Sequence, residues 1–292
     1  MEIEDTYAEA FEGYYSRILV TAKSRKWLMH TVNSATAYAT SCIGCGCEAG
    51  VEGIVEKTKT PDKRLGALVQ FWVPAWGKDA VKKLEHEVMN RIGQCVLTAP
   101  TTAVWNATQS KEKLPVGKKL GFFGDGHQVE RKLYDRNVVI IPRMMGDFIV
   151  EKEIGYGTGI MGGNLWFFCE SEDAALKVSE RAVDAVSRVD GVVTTFPGGV
   201  CASGSKVGSR YDFLYASTNH LFCPSLKCKI SDTRVPANVE SISEVIINGI
   251  NEKLVKKAMR SGINAVKNMP GLVKVSAANF GGKLGKYKIH LR

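Results

Sequence analysis

The chain has 292 residues, 45% hydrophobic and 24% charged, the balance of a globular protein that can bury a sizeable core. Lys and Arg exceed Asp and Glu by 39 to 30, a formal charge of +9 without a run of five basic residues, which argues against a nucleic-acid tail and for a surface that receives anionic small molecules. No apolar run reaches the roughly 18 residues of a membrane span, and the opening MEIEDTYAE, with four carboxylates and no cation, is unlike a secretory signal, so a cytoplasmic protein is expected.

Hydrophobic patterning predicts a strand over residues 14–22, then a helix from a Ser24 cap to about residue 38. A short strand over 39–43 enters the cysteine-rich turn, and the polar stretch 52–64, with Pro61, reads as a connection. Residues 67–73 predict a second strand. Residues 78–92 predict an amphipathic helix, with Val81, Leu84, Val88 and Ile92 on one face, and 95–97 the strand after it. Residues 98–102 form a hydroxyl-rich turn and 106–119 a loop; 120–125 and 137–142 are further strand candidates. Gly146, Asp147 and Phe148 mark a boundary between a lobe over 1–147 and a lobe over 148–292.

The second half reads as a glycine-rich stretch (154–164), a strand (165–169), a helix (171–189) and a strand (192–196). A loop over 196–208 follows, then a strand (209–216) and connecting chain (224–239). A strand (242–247), a helix (251–268) and a strand (272–276) close the pattern. Residues 185–214 and 265–291 echo each other: a helix end, a Gly, a Val-rich strand, a Gly-Gly pair, then Lys-x-Gly. Two strand–helix–strand units in each half predict an α+β fold of two ferredoxin-like, split βαβ lobes related by an internal repeat.

The loop FPGGVCASGSKVG (196–208) is the centre of the functional reading. Gly198, Gly199 and Gly204 allow backbone N–H groups to approach a ligand, Ser203 and Ser205 supply hydroxyls, and Lys206 supplies a cation. Glu244 lies in an otherwise apolar strand. Alternation alone turns it to solvent; facing a cleft wall, it would have a raised pKa and act as a protonated donor. Cys42, Cys45 and Cys47 form C-x-x-C-x-C without a close fourth ligand, and no His pair has metal spacing, so no metal site is expected. Cys201 and Cys223 read as ordinary small residues.

Several stretches resemble the formylmethanofuran:tetrahydromethanopterin formyltransferase family. They are IGQCVLTAPTTAVWN (92–106), GDF (146–148), FPGGVCASGSKVG, EVIINGI (244–250) and NFGGKLGKY (279–287), with EIEDTYAEAF (2–11) and EAG (48–50). The resemblance implies two ferredoxin-like lobes and a homotetramer with its site at a cleft between subunits. It also implies transfer of a formyl group between two anionic coenzyme substrates, methanofuran and tetrahydromethanopterin, with no bound metal or prosthetic group. Glu244 matches the family's catalytic carboxylate. The glycine loop, with Gln94, Thr101 and Asp147, is expected to line the substrate pocket. The cysteine-rich turn and residues 57–76 and 106–116 depart from the family pattern. Readings as a subunit of a formyltransferase/hydrolase complex, or as a diverged copy with other substrates or a regulatory role, stay open beside the main one. A basic RNA-binding module is disfavoured, because exposed aromatics interleaved with basic residues on a sheet face are not evident.

Overall fold

Three helices begin where a small polar side chain can cap them. Ser24 accepts from the Trp27 N–H at 3.4 Å ahead of Arg25–Thr36, and Ser171 from the Ala174 N–H at 3.1 Å ahead of Glu172–Val186. Asn251 accepts from the Leu254 N–H at 3.0 Å ahead of Glu252–Val266. The last of these buries Val255, Ala258, Met259, Gly262, Ile263 and Val266, a stripe at three- and four-residue spacing that faces its sheet. No helix is long and apolar enough to cross a membrane.

The computed structural model describes residues 1–292, in a mixed α and β architecture. The chain divides into two units: Glu12–Gly159, and Met1–Phe11 together with Ile160–Arg292. The strands Tyr7–Ala22 and Gly157–Cys169 each contain a division point.

In the Glu12–Gly159 unit, Leu65–Pro74 pairs antiparallel with both Glu48–Val55 and the long first strand, and Ala103–Asn106 pairs antiparallel with the first strand's other edge. Helices Arg25–Thr36 and Ala80–Arg91 cover one face, over a core that includes Ile18, Val20, Leu28, Phe71, Leu84 and Val88. The opposite face carries Leu19, Trp105 and Val138, the last from the hairpin Val129–Leu133 and Arg136–Ile141.

In the other unit, Ser241–Gly249 pairs antiparallel with Val192–Thr194 and Gly157–Cys169, and Leu272–Ser276 pairs antiparallel with the far edge of Gly157–Cys169. Helices Glu172–Val186 and Glu252–Val266 bury Leu165, Phe167, Val245, Ile247 and Val275 on one face. Numbered by sequence within each motif, both four-stranded arrays run second, third, first, fourth.

Met1–Phe11 group with Ile160–Arg292. Glu2–Ile3 pairs in parallel with residues 274–275, and Tyr7–Ala10 pairs with Tyr287–His290. These pairings span most of the chain, so no local pattern announces them.

Four expected strands need correction. Residues 39–43 form a turn; the strand is Glu48–Val55, whose Gly50 and Gly53 disguise an alternating hairpin partner. Residues 95–97 continue the preceding helix as a π-helical turn, Ile92–Val96, closed by the Leu97 N–H on the Ile92 carbonyl at 2.8 Å. Residues 120–125 end the short helix Val116–Gly121 and pass through a 3₁₀ turn to a left-handed Asp125. Residues 209–216 lack a sheet to join: only Lys206–Val207 and Ala216–Ser217 pair, leaving Tyr211, Phe213 and Tyr215 exposed between them.

Candidate active site

The strand Ser241–Gly249 separates two environments by its period of two. Ser243, Val245 and Ile247 face the helices, and the Ser243 hydroxyl meets that of Ser179 at 2.6 Å. Ile242 and Glu244 point to the opposite face. That face is not open solvent, because chain from residues 200–239 roofs it: Ile242 joins Trp166, Phe168, Val235 and Val239 in a second apolar cluster.

Register sets the partners of Glu244. It lies opposite Trp166 on the neighbouring strand, and the Trp166 indole N–H donates to Glu244 Oε1 at 2.9 Å. On the other side the glycine loop returns to the sheet. The Cys201 N–H donates to the Glu244 carbonyl at 2.8 Å, and the Glu244 N–H donates back to the Cys201 carbonyl at 3.0 Å. Thr194 pairs with Ile247, so four residues loop out before Cys201 reaches Glu244.

Within that excursion Gly199 has φ 81°, and an added Cβ would lie 2.7 Å from a Val183 methyl on the underlying helix. Gly198 and Gly199 therefore shape the turn, and neither borders the two cavities beside Trp166. The part of the loop after Cys201 does. Glu244, Trp166, Cys201, Ser203, Gly204 and Phe222 border a cavity of about 340 Å³. Ser205, Lys206, Arg234, Lys274, Phe280 and Glu4 border a second, of about 410 Å³. Trp166, Asn219 and Phe222 belong to both, so the two cavities adjoin at the indole. Phe222 holds that indole edge-on, with ring centroids 4.8 Å apart.

Burial lifts the Glu244 carboxyl above the usual carboxylate range, against smaller lowering by the Trp166 indole and the Cys201 thiol. Cys201 Sγ also lies 3.3 Å from Ser203 Oγ. A raised carboxyl beside a polar, roofed cavity can supply a proton to an oxygen that gains charge.

The second cavity is bounded by the turn after Ser276, which a different carboxylate organises. Glu9, 2% exposed, accepts backbone N–H groups on both oxygens: Phe280 at 2.7 Å, Gly282 at 2.9 Å, Gly285 at 2.8 Å, and Leu284. Burial alone would raise its pKa; the four N–H groups outweigh that and hold it below the ordinary value. Gly285 is required there, since a Cβ would lie 2.1 Å from the Ala10 carbonyl oxygen.

Gln94, Thr101 and Asp147 belong to the other unit. Gln94 and Asp147 are exposed. The hydroxyls of the 98–102 turn serve the backbone: Thr98 donates to the Gln94 carbonyl at 2.7 Å and Thr102 to the Val96 carbonyl at 2.6 Å. Thr101, at φ 63°, accepts from the Lys23 N–H at 3.3 Å. Arg143 ties the region together, donating to carbonyls of Leu97, Ala99, Gly146 and Asp147.

The cysteine-rich turn has no metal geometry; no group of three His, Cys, Asp or Glu side chains is arranged to hold an ion. Burial, with Glu48 beside it, pushes the Cys42 thiol up to about 12, and burial raises Cys47 as well. Both shifts favour the protonated thiol, and Cys47 packs into the apolar core of its unit.

The sequence reading did not single out Trp166, Phe222, Arg234, Lys274 or Phe280, and took Cys201 for an ordinary small residue. Alternation does put Trp166 and Phe168 on one face of their strand, but only the pairing register reveals that Trp166 meets Glu244.

Residues 1–143 match the family profile described as formylmethanofuran-tetrahydromethanopterin formyltransferase, and residues 146–292 match that of its proximal lobe. The chain is 50% identical to the formylmethanofuran–tetrahydromethanopterin formyltransferase of Methanothermus fervidus, over 100% of this chain and 97% of that one. The solved formyltransferase from Methanosarcina barkeri superposes with a TM-score of 0.94 at 46% identity, covering 100% of this chain and 97% of the other. A chain of the formyltransferase/hydrolase complex from Methylorubrum extorquens, solved with methylofuran, superposes at 0.93 with 34% identity, covering 99% and 95%. The chain belongs to the formylmethanofuran-tetrahydromethanopterin formyltransferase family.

Proposed function

We propose that the chain transfers a formyl group from formylmethanofuran to a ring nitrogen of tetrahydromethanopterin, by direct attack through a tetrahedral intermediate. The observation that carries this reading is the family match over both halves, joined to a raised carboxyl in a roofed cavity within one of the family's motifs. The pterin nitrogen bonds to the formyl carbon, and the carbonyl π pair moves to oxygen. Protonated Glu244 donates to that oxygen. As the intermediate collapses, the carbonyl re-forms, its proton returns to Glu244, and the carbon–nitrogen bond to methanofuran breaks. The pterin nitrogen loses a proton and the released amine gains one. Ordering of two carriers in register can remove about 7–11 kcal/mol of the barrier, and one well-aimed donor about 3–4 kcal/mol more.

Ser203, Gly204, Ser205 and Lys206 contact the substrates from the two adjoining cavities, while Gly198 and Gly199 set the loop's path. The cations Lys206, Arg234 and Lys274, against one carboxylate, Glu4, suit anionic carriers. Gln94, Thr101 and Asp147 remain pocket-lining candidates. The two arrays of identical strand order, each with two helices on one face, support two ferredoxin-like lobes related by an internal repeat. The exposed Tyr211, Phe213 and Tyr215 support assembly into a homotetramer, because a monomer rarely leaves such a patch in water.

Purified chain mixed with formylmethanofuran and tetrahydromethanopterin should give the ultraviolet change of the formylated pterin. No change with both substrates present overturns the reading. Co-purification with a hydrolase subunit, with transfer seen only in the mixture, would favour the formyltransferase/hydrolase complex instead.

A further inference from the structure

An indole N–H can donate a hydrogen bond but cannot accept one. The Trp166 Nε1 lies 2.9 Å from Glu244 Oε1, so that oxygen is an acceptor in either charge state of the carboxyl. The indole has little freedom to leave: Trp166 is 8% exposed and packed against Phe222. A neutral carboxyl carries its proton on a single oxygen, and its carbonyl oxygen accepts more strongly than its hydroxyl oxygen, so an N–H held on Oε1 favours the proton on Oε2. We propose that Trp166 is a positioning residue that confines the proton of neutral Glu244 to Oε2. The substrate oxygen is thereby offered one proton from one direction. Cys201 does not compete for this role, because sulfur both donates and accepts weakly and also has Ser203 within reach.

The groups facing Glu244 are few. Trp166 comes from the neighbouring strand, and Cys201 and Ser203 come from the glycine loop. Thr218 and Cys223 lie across the cavity. Lys206, Arg234, Lys274 and Glu4 border the adjoining cavity, beyond the indole. None of the groups facing it in its own cavity offers a fixed charge to orient the carboxyl, which leaves the indole as its director.

The inference rests on Glu244 acting as an acid, and the two can fail separately. In Trp166→Phe the carboxylate loses its N–H donor, so the carboxyl becomes harder to ionise. The alkaline limb of kcat should move up by about one pH unit. The plateau kcat should fall about 10- to 100-fold because the proton is no longer aimed, with KM nearly unchanged. A plateau loss with an unmoved limb overturns the inference and leaves a packing role for Trp166. Movement of an acid limb keeps the Trp166 contact but overturns the acid reading.

The wild-type chain gives a readout that does not depend on this variant folding. Among its five Trp indole N–H resonances, one should titrate with the midpoint of the rate limb and lose that titration in Glu244→Gln. If none of the five titrates, the proposed contact is wrong. A normal rate in Glu244→Gln sinks the acid reading, while the indole titration still judges the contact.

Discussion

Glu9 and Glu244 lie in the same unit and differ in what their oxygens meet. Glu9 meets four backbone N–H groups, and its pKa is held down. Glu244 meets one indole and one thiol, and burial pushes its pKa up. The number of donors decides which carboxylate is a fixed anion and which is an exchangeable acid. The fixed one builds the turn that borders one cavity; the exchangeable one lines the cavity beside it.

The sharpest way to break this contrast is Glu244→Gln. The amide keeps the size and can accept from Trp166, but it cannot give up a proton. We expect kcat to fall about 10²–10³-fold with KM nearly unchanged, read from initial rates of pterin formylation. A near-normal kcat would remove Glu244 from the mechanism.

Glu9→Gln tests the other side. One end of the amide still accepts N–H groups, but its NH₂ end faces two backbone donors. Stability should fall by about 2–3 kcal/mol, seen as a melting point roughly 5–10 °C lower. Loss of the turn that carries Phe280 should raise KM more than it lowers kcat.

Their pH linkages have opposite signs. The folded pKa of Glu9 is lowered, so its stabilisation is present above the unfolded value of about 4.3 and is lost as pH falls through the folded value. The folded pKa of Glu244 is raised, so stability is full below the unfolded value and declines as pH rises through the folded one. Thermal melts across pH should therefore show Glu9→Gln with a flattened acid limb. Glu244→Gln should lack the decline that in the wild type sets in above the unfolded value of about 4.3 and ends at the raised folded value, and should be the more stable of the two once that decline is complete. A shared direction for the two variants would collapse the distinction.

Much of this architecture was legible in the chain. Capped, striped helices such as Glu252–Val266 announce themselves, because the signal is local and periodic. So does the strand around Glu244, in an apolar run with one carboxylate. What stayed hidden depends on pairing between distant residues: the N-terminal strand in the C-terminal unit, Trp166 opposite Glu244, and the four N–H groups on Glu9. Residues 209–216 misled because aromatic β-formers normally mark a buried strand. Here Phe213 is 82% exposed, and no sheet receives it. Phe213→Asp should leave the fold intact and, under the assembly reading, shift the sedimentation coefficient toward the monomer; an unchanged coefficient would take this patch out of the interface.

The smallest expected effect concerns the cavity beyond the indole. Lys206 spends its ammonium on one backbone acceptor, the Gly208 carbonyl at 3.3 Å, and so keeps charge free for a ligand. A partly solvated pair of this kind contributes about 0.2–1 kcal/mol. Lys206→Gln should thus raise KM by no more than about fivefold, and kcat should hold if the loop's path is set by Gly198, Gly199 and the Cys201 bridge rather than by this side chain. The variant should also flatten the rise of KM with salt, since one screened attraction is gone. A KM that ignores ionic strength in the wild-type chain would mean that the adjoining cavity does not grip its ligand through charge, and the division of labour between the two carboxylate regions would then rest on shape alone.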